Sequence, residues 1–273
     1  MSDRQELPRV LALANQKGGV GKTTTAINLG TALASVGERV LIVDLDPQGN
    51  ASTGLGIYER DRPVSTYDVL AGRATLEQAI VTTGIPNLFI APSTLDLLGL
   101  EREILSSGDR AFRLRNAIAG LARPAPDVVG ASFDYIMVDC PPSLNILTIN
   151  ALAAADAVLV PVQCEYFAMQ GIVQLKKTID QVRAELNPDL DIQGVVLTMY
   201  DKRNNLANEV VHEVKNFFGE KVYTTVIPRN VRVAEAPSYG RPILMYDLKC
   251  AGSEAYIQLA SEMIDRERNR AVA

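Results

Sequence analysis

A glycine-rich segment between an apolar run and a helical pattern constrains the fold of this chain more than any other feature. Residues 9–14 read RVLALA, residues 17–24 read KGGVGKTT, and the helical pattern TTTAINLGTALASVG follows. Glycines let main-chain N–H groups approach phosphate oxygens, and the start of the next helix directs positive partial charge at them. A strand, a glycine-rich loop and a helix in this order predict a phosphate-binding loop.

Further apolar, β-branched runs alternate with helical patterns such as GIVQLKKTIDQVRAELN. These runs are RVLIVDLD, NLFIAP, FDYIMVDC, AVLVPV, IQGVVLTMY and VYTTVIP. The alternation predicts βαβ units, and therefore an α/β fold with a mainly parallel twisted sheet and helices on both faces. Ligands are expected beyond the carboxyl ends of the strands. Residues 54–79 and 95–121 fit this pattern less well and predict loops and short helices, with a break at 106–109.

No Gly/Ser-rich or Pro-rich linker divides the 273 residues. We therefore expect one domain over residues 1–273, with frayed ends at 1–8 and 267–273. The start MSDRQELPRV lacks the pattern of a signal peptide, and no apolar run approaches the roughly 20 residues of a membrane span. We expect a cytoplasmic protein. Three scattered cysteines without a CxxC pair do not indicate a disulfide framework or a metal centre.

The residue types in the glycine-rich segment indicate which groups of a nucleotide they bind. Lys22 supplies a mobile cation for the β- and γ-phosphates, and the Thr23 hydroxyl lies where Mg²⁺ bridges those phosphates. The segment therefore predicts a bound nucleotide together with Mg²⁺. The nucleotide-binding residues predicted from this segment are Lys17, Gly18, Gly19, Val20, Gly21, Lys22, Thr23 and Thr24.

Aspartates end two of the predicted strands. The run FDYIMVD ends at Asp139, and an acid after an apolar strand is the Walker B arrangement, which holds Mg²⁺ directly or through water. The run VLIVDLD carries Asp44 and Asp46, which face the same side if the strand continues that far. Asp44 is expected beside the γ-phosphate, whereas Asp46 is open to a second interpretation, as a cap of the turn at Pro47.

The phosphate loop departs from the ordinary P-loop pattern, since Gln16 stands where a glycine is usual and Lys17 adds a second lysine. KGGVGKTT resembles the deviant Walker A motif of ParA/MinD P-loop ATPases. The resemblance implies that Lys17 reaches the nucleotide held by the other subunit of a dimer, and that Asp44 orients or activates the attacking water. Lys17, Lys22 and Asp44 are accordingly the predicted catalytic residues.

The carboxyl-terminal third is more basic than the rest of the chain. Residues 199–250 carry eight basic and six acidic residues, a net charge of +2. Because the whole chain has a net charge of −5, the remaining residues carry −7. On charge alone, these residues would be interpreted as a solvated surface. However, TMYDKRNNLANEV and VIPRNVRVAEAPSYGRPILMYD resemble segments of chromosomal ParA or Soj proteins. The resemblance implies that Arg203 and Arg232, with Lys249 as an extension, bind non-specific duplex DNA.

The same resemblance implies that the loop of Pro228, Arg229 and Asn230 closes over the adenine side of the nucleotide. It further implies an ATP-bound homodimer on the nucleoid that drives chromosome or plasmid partition, with a ParB-type centromere-binding protein stimulating hydrolysis. The alternative is a MinD-like membrane-associated ATPase that positions the division site. Such a protein requires a terminal amphipathic membrane helix, but residues 256–268 mix acids and bases with little bulky apolar surface, so no membrane partner is expected.

Overall fold

The computed structural model describes residues 7–121, 133–166 and 168–272, with the backbone alone for 270–272. Within these ranges the chain forms a seven-stranded sheet in the order β3-β4-β2-β5-β1-β6-β7, in which only β3 runs antiparallel to its neighbour. The strands are β1 (Arg9–Leu13), β2 (Val40–Asp44), β3 (Val81–Thr82), β4 (Leu88–Ala91), β5 (Tyr135–Asp139), β6 (Ala157–Gln163) and β7 (Asp191–Thr198).

Helices connect the strands. They are α1 (Lys22–Ser35), α2 (Asn50–Gly54), α3 (Thr66–Leu70), α4 (Leu76–Ala79), α5 (Leu97–Glu103), α6 (Arg113–Leu121), α7 (Ile146–Ala154), α8 (Ala168–Glu185), α9 (Asn205–Phe218), α10 (Val231–Glu235), α11 (Ile243–Tyr246) and α12 (Ala251–Val272). Three short 3-10 turns lie at Glu59–Asp61, Gly219–Lys221 and Ala236–Tyr239. Across the described part of the chain, no helix is long and apolar enough to cross a membrane.

The sheet is buried on both faces, as the alternating pattern predicts. In β2, Leu41 and Val43 belong to one apolar cluster, whereas Val40 and Ile42 belong to the cluster on the opposite face. The α/β fold with a mainly parallel sheet is therefore confirmed. Because β2, β5 and β1 are adjacent and parallel, their carboxyl ends meet at one edge of the sheet.

The prediction that VYTTVIP forms a strand is wrong. Among the residues that the structure describes, this segment makes two isolated bridges, Val195 to Val222 and Tyr200 to Pro228, and no continuous ladder. The main-chain N–H groups of Thr224 and Thr225 instead donate to the carboxylate of Glu262 in α12, at 2.8 and 2.9 Å. The α12 carboxylate satisfies donors that a strand would have used, so the ladder is interrupted.

The end of α12 also differs from the sequence expectation. Residues 267–272 remain helical, and Glu267 accepts hydrogen bonds from Arg9 and Gln193, at 3.3 and 2.6 Å. These contacts anchor the start of β1 and the last helix to each other. At the other end, the expected fraying of residues 1–8 falls mostly on residues 1–6, which lie outside the described residues. The sequence also did not predict β3, whose two residues are too few for a periodic signal.

Candidate functional site

The loop between β1 and α1 has a fixed left-handed geometry at two of its glycines. Gly19 and Gly21 have φ of 74° and 88°, which favour glycine because a side chain strains this conformation. The Thr198 hydroxyl donates to the Val20 carbonyl at 2.8 Å, which ties the loop to the end of β7. Among the described residues no side chain caps the start of α1. The first N–H groups of this 14-residue helix are therefore available to an anion.

Lys22 begins α1, and its side chain runs back under the loop. Its Nζ donates to the Lys17 carbonyl at 3.3 Å, and the residue is only 6% exposed. Burial lowers the pKa of Lys22, and the nearby carboxylate of Asp139 opposes that shift. The structure thus places a buried cation between the loop and the carboxylate at the end of β5.

Lys17 points to the opposite side of the loop, towards the segment that follows β6. Its Nζ lies 3.0 Å from Oε2 of Glu165, and both side chains are partly exposed. The backbone of Lys17 is held by Asn15, whose side-chain oxygen accepts from the Lys17 N–H at 3.0 Å. Asn15 in turn donates to the Pro161 carbonyl in β6 at 2.8 Å. The two lysines of the loop therefore occupy different environments, one buried and one at the surface.

Asp44 and Asp139 are neighbours across the β2–β5 ladder, and both are fully buried. Asp44 Oδ2 accepts from the N–H and the hydroxyl of Ser52, at 2.9 and 2.7 Å, and its Oδ1 accepts from the Asp46 N–H at 3.2 Å. Burial raises the pKa of Asp44 to about 6, against the hydrogen bonds from Ser52, which lower it. The pKa of Asp44 therefore lies above the usual range of an aspartate.

Asp139 differs from Asp44 in its hydrogen bonds. Within the described ranges, neither of its carboxylate oxygens accepts a hydrogen bond of standard geometry. Burial, together with the charge of Asp44, raises the pKa of Asp139 well above its usual range, while Thr23 and Lys22 oppose that shift. Buried carboxylates without donors are normally paired or coordinate metals. Asp139 with Thr23 nearby therefore fits a magnesium site.

Asp46 follows the second of the two interpretations that the sequence left open, because β2 ends at Asp44. Its side-chain oxygen accepts from the Gln48 N–H at 3.0 Å, and its carbonyl accepts from the Gly49 N–H at 2.9 Å. Asp46 thus caps the turn that leads to α2.

Several hydroxyl groups that the sequence analysis did not single out surround the end of β2. Ser52 bonds to Asp44, the Thr66 hydroxyl donates to the Asp44 carbonyl at 2.8 Å, and the Ser93 hydroxyl donates to the Asp46 carbonyl. Serine and threonine are common in loops and short helices, so no local signal distinguishes them. Glu165 was also missed, although it follows β6 at the sheet edge where ligands are expected.

The segment predicted to lie near adenine runs beside the end of β7. Pro228 pairs with Tyr200, and the Arg229 N–H donates to the Tyr200 carbonyl at 3.0 Å. The side-chain oxygen of Asn230 accepts from the N–H groups of Arg232 and Val233, at 2.8 and 3.3 Å, and so caps α10. This segment is therefore a turn of defined geometry that begins next to the strand.

Both arginines predicted to bind DNA are exposed and paired with carboxylates. Arg203 makes two hydrogen bonds to Asp201, from Nε at 2.9 Å and from Nη2 at 2.7 Å. Arg232 donates to Glu235 at 3.1 Å. Lys249 is exposed in the segment between α11 and α12. Arg203 lies after β7 and Arg232 lies in α10. Arg203 follows Tyr200 and Arg232 follows Pro228, and these two residues pair with each other in an isolated bridge.

Comparison with known proteins gives matches over most of the chain. The AAA domain family matches residues 8–192. The chromosome partitioning protein ParA of Caulobacter vibrioides (strain NA1000 / CB15N) is 59% identical over 262 residues, 96% of each chain. The sporulation initiation inhibitor protein Soj of Bacillus subtilis (strain 168) is 50% identical over 255 residues, 93% of this chain and 98% of that protein.

A solved structure with similar architecture is cobyrinic acid a,c-diamide synthase from Mycobacterium smegmatis with bound ATP analog and magnesium. It has a TM-score of 0.81 and 37% sequence identity, and 96% of each chain is covered. The similarity to these proteins therefore extends well beyond the phosphate loop, into the carboxyl-terminal third.

Proposed function

The chain belongs to the AAA domain family and, within it, to the ParA/Soj family of partition ATPases, and on this basis we propose that it is an ATP-dependent dimeric switch. In this proposal the ATP-bound dimer binds duplex DNA without sequence specificity. Hydrolysis of ATP then releases the dimer and drives chromosome or plasmid partition.

The observation that carries the proposal is the convergence of Lys22, Asp44 and Asp139 at one edge of the sheet. The buried cation of Lys22 lies under the phosphate loop, and the two carboxylates end adjacent parallel strands. Catalysis of phosphoryl transfer depends mainly on positioning and on electrostatic stabilisation, which this combination of groups can supply.

The nucleotide is bound by residues 17–24 in this proposal, with Lys22 on the β- and γ-phosphates. Thr23 and Asp139 hold Mg²⁺, directly or through water, which neutralises phosphate charge when it is bound. Asp44 orients the attacking water in this proposal; among the described residues its Oδ1 accepts a single hydrogen bond, from the Asp46 N–H at 3.2 Å, and so retains capacity to accept another from water. The turn of Pro228, Arg229 and Asn230 covers the adenine side.

Dimerisation is assigned to Lys17. Its ammonium group is at the surface and pairs with Glu165, so it is free to exchange that carboxylate for a phosphate group of the partner subunit's ATP. A lysine that exchanges a carboxylate of its own subunit for a phosphate group across the interface couples ATP binding to association. This role also explains why the loop has two lysines in different environments.

DNA binding is assigned to Arg203 and Arg232, with Lys249 as an extension. Arginines that bind phosphate groups give sequence-independent affinity that falls steeply with salt concentration. We further propose that the protein associates with the nucleoid and that a ParB-type centromere-binding protein stimulates hydrolysis.

Two other functions share the phosphate site. A MinD-like ATPase would bind membrane, and a biosynthetic ligase would couple ATP to bond formation. The Mycobacterium smegmatis structure, named a synthase, contains a bound ATP analog and magnesium. The 59% identity to ParA over nearly the whole chain favours partition.

The test is duplex-DNA binding measured together with sedimentation, with ATP, with ADP and without nucleotide. We expect DNA binding only in the ATP state and only by a dimer. Anionic lipid vesicles serve as the control ligand in the same three states. Vesicle binding without DNA binding would favour the MinD-like function, and a DNA-free monomer with ATP would contradict the proposal.

A further inference from the structure

A buried serine donates two hydrogen bonds to the carboxylate that ends β2. Ser52 lies in α2, eight residues after Asp44, and is fully buried, as Asp44 is. It donates twice to the same oxygen of Asp44, from its N–H at 2.9 Å and from its hydroxyl at 2.7 Å. Both donors therefore act on Oδ2, and within the described part of the chain Oδ1 accepts one hydrogen bond, from the Asp46 N–H at 3.2 Å.

A second hydrogen bond, which the Ser52 hydroxyl oxygen accepts, orients this hydroxyl. The main-chain N–H of Ser93, just after β4, donates to Ser52 Oγ at 3.2 Å. The Ser52 hydroxyl has one proton. Because its oxygen accepts the hydrogen bond from the Ser93 N–H, its proton points towards Asp44. Ser93 is itself fully buried, so water does not compete for this arrangement.

The geometry points to Ser52 as a positioning residue for ATP hydrolysis: its hydroxyl, oriented by the Ser93 N–H, fixes the rotation of the Asp44 carboxylate so that Oδ1 faces the attacking water. This inference rests on the water-orienting role proposed for Asp44. Two donors on one oxygen prevent the carboxylate from rotating, and hydrolysis depends on alignment of that oxygen to within a fraction of an ångström. Ser52 acts through Asp44 and does not contact ATP.

A purely structural role is the competing explanation, since a buried carboxylate needs donors wherever it lies. Ser93 provides the matched control. It is also a fully buried serine in the same layer, but its hydroxyl donates to the main-chain carbonyl of Asp46. The Ser93→Ala variant keeps the N–H that orients Ser52, and therefore removes a buried hydroxyl without freeing Asp44.

The experiment measures single-turnover ATP hydrolysis by the full chain with Mg²⁺ and duplex DNA, together with the Kd for ATP and the Tm. We expect Ser52→Ala to lower the hydrolysis rate by up to about 100-fold with the Kd for ATP unchanged. Ser52→Thr, which keeps the hydroxyl, should restore most of the rate. Ser93→Ala should leave the rate within about threefold of the wild type, whatever its effect on Tm. Equal losses of rate in Ser52→Ala and Ser93→Ala would overturn the inference.

A double-mutant cycle with Asp44→Ala separates this inference from the role of Asp44 itself. In the Asp44→Ala background, Ser52→Ala should cause no further loss of rate, because the group that it positions is absent. Near-normal hydrolysis by Asp44→Ala alone would refute the water-orienting role. Slow hydrolysis by Asp44→Ala with a normal rate for Ser52→Ala would overturn only the inference. If Ser52→Ala does not fold, Ser52→Cys replaces it, since a thiol of similar shape is a weak donor and the same loss of rate is expected.

Discussion

Lys17 Nζ lies 3.0 Å from Glu165 Oε2, so the lysine proposed to cross the dimer interface is held by a carboxylate of its own subunit. The second oxygen of Glu165 accepts a hydrogen bond from the side chain of Gln163 in β6. The Glu165 carboxylate therefore competes with the phosphate groups of the partner subunit's ATP for Lys17. Formation of the dimer then exchanges one anionic partner of the lysine for another.

The Glu165→Gln variant should therefore dimerise with ATP at lower protein concentration than the wild type. Each exposed ion pair contributes about 0.2–1 kcal/mol, and a symmetric dimer breaks two of them, so the dimer Kd should fall by roughly 2- to 30-fold. Sedimentation over a range of protein concentrations measures this change. Asp180→Asn is the matched control, since it removes an exposed ion pair with Lys176 in α8. Weaker dimerisation of Glu165→Gln would show that Glu165 supports the interface.

Loss of the buried lysine should abolish productive ATP binding. Lys22→Ala removes the main cation beneath the phosphate loop, so the β- and γ-phosphates lose their strongest partner. Lys17→Ala is the comparison variant, because its surface lysine is assigned to the partner's nucleotide. We expect equilibrium titration to give weak or no binding for Lys22→Ala and near-normal binding by the Lys17→Ala monomer. Equal ATP affinity of Lys22→Ala and wild type would contradict this placement of the phosphate site.

The nucleotide-free protein should be stabilised by removal of the charge of Asp139. Its pKa is raised above the usual 3.8, so between that value and the raised pKa the folded state binds more protons than the unfolded state. Folding stability contributed by the protonated form is present below pH 3.8 and is lost as the pH rises through the raised pKa. Asp139→Asn should therefore increase the free energy of unfolding at pH 7.5 by roughly 1–3 kcal/mol.

Urea unfolding with and without Mg²⁺ and ATP checks this prediction. The wild type should gain stability from Mg²⁺ with ATP, and Asp139→Asn should gain little, because it lacks the carboxylate assigned to the metal. Asp189→Asn removes an exposed carboxylate after α8 and should match the wild type in both conditions. An Asp139→Asn variant that is less stable at pH 7.5 and equally stabilised by Mg²⁺ with ATP would rule out the assignment.

Loss of either proposed DNA-binding arginine should weaken DNA binding at every sequence tested. Arg203→Ala and Arg232→Ala should each reduce the salt slope by roughly 0.9 per phosphate contact, counted twice in a symmetric dimer. ATP-dependent dimerisation should be unchanged. Conversely, Asp201→Asn should strengthen DNA binding, because it frees Arg203 from its bidentate partner.

The control for these variants is Arg73→Ala. Arg73 has the same 56% side-chain exposure as Arg232 and also lies 3.1 Å from a glutamate, but it follows α3, on the β4 side of the sheet. DNA binding measured from low to moderate salt should not change in this variant. An unchanged affinity and salt slope in a well-folded Arg203→Ala, Arg232→Ala double variant would remove the DNA site and leave the ATPase assignment intact.

The elements with local signals could be predicted from the amino-acid sequence. Glycines at positions that need positive φ, a strand before them and a helix after them indicate the phosphate loop, and the ends of two apolar runs place Asp44 and Asp139. The apolar, β-branched runs also placed six strands within a few residues of their positions in the structure. These features follow from neighbours in the chain, so periodicity and turn chemistry are sufficient to predict them.

The hydrogen-bond partners of those groups could not be predicted, because they come from other segments of the chain. VYTTVIP has the composition of a strand, but Glu262, nearly forty residues away in sequence, takes its N–H groups. Likewise, Ser52 donates two hydrogen bonds to Asp44, whereas among the described residues Asp139 accepts none of standard geometry. Burial and hydrogen bonding depend on elements that meet only when the sheet has assembled, and for that reason the two aspartates, alike in sequence context, differ in their surroundings.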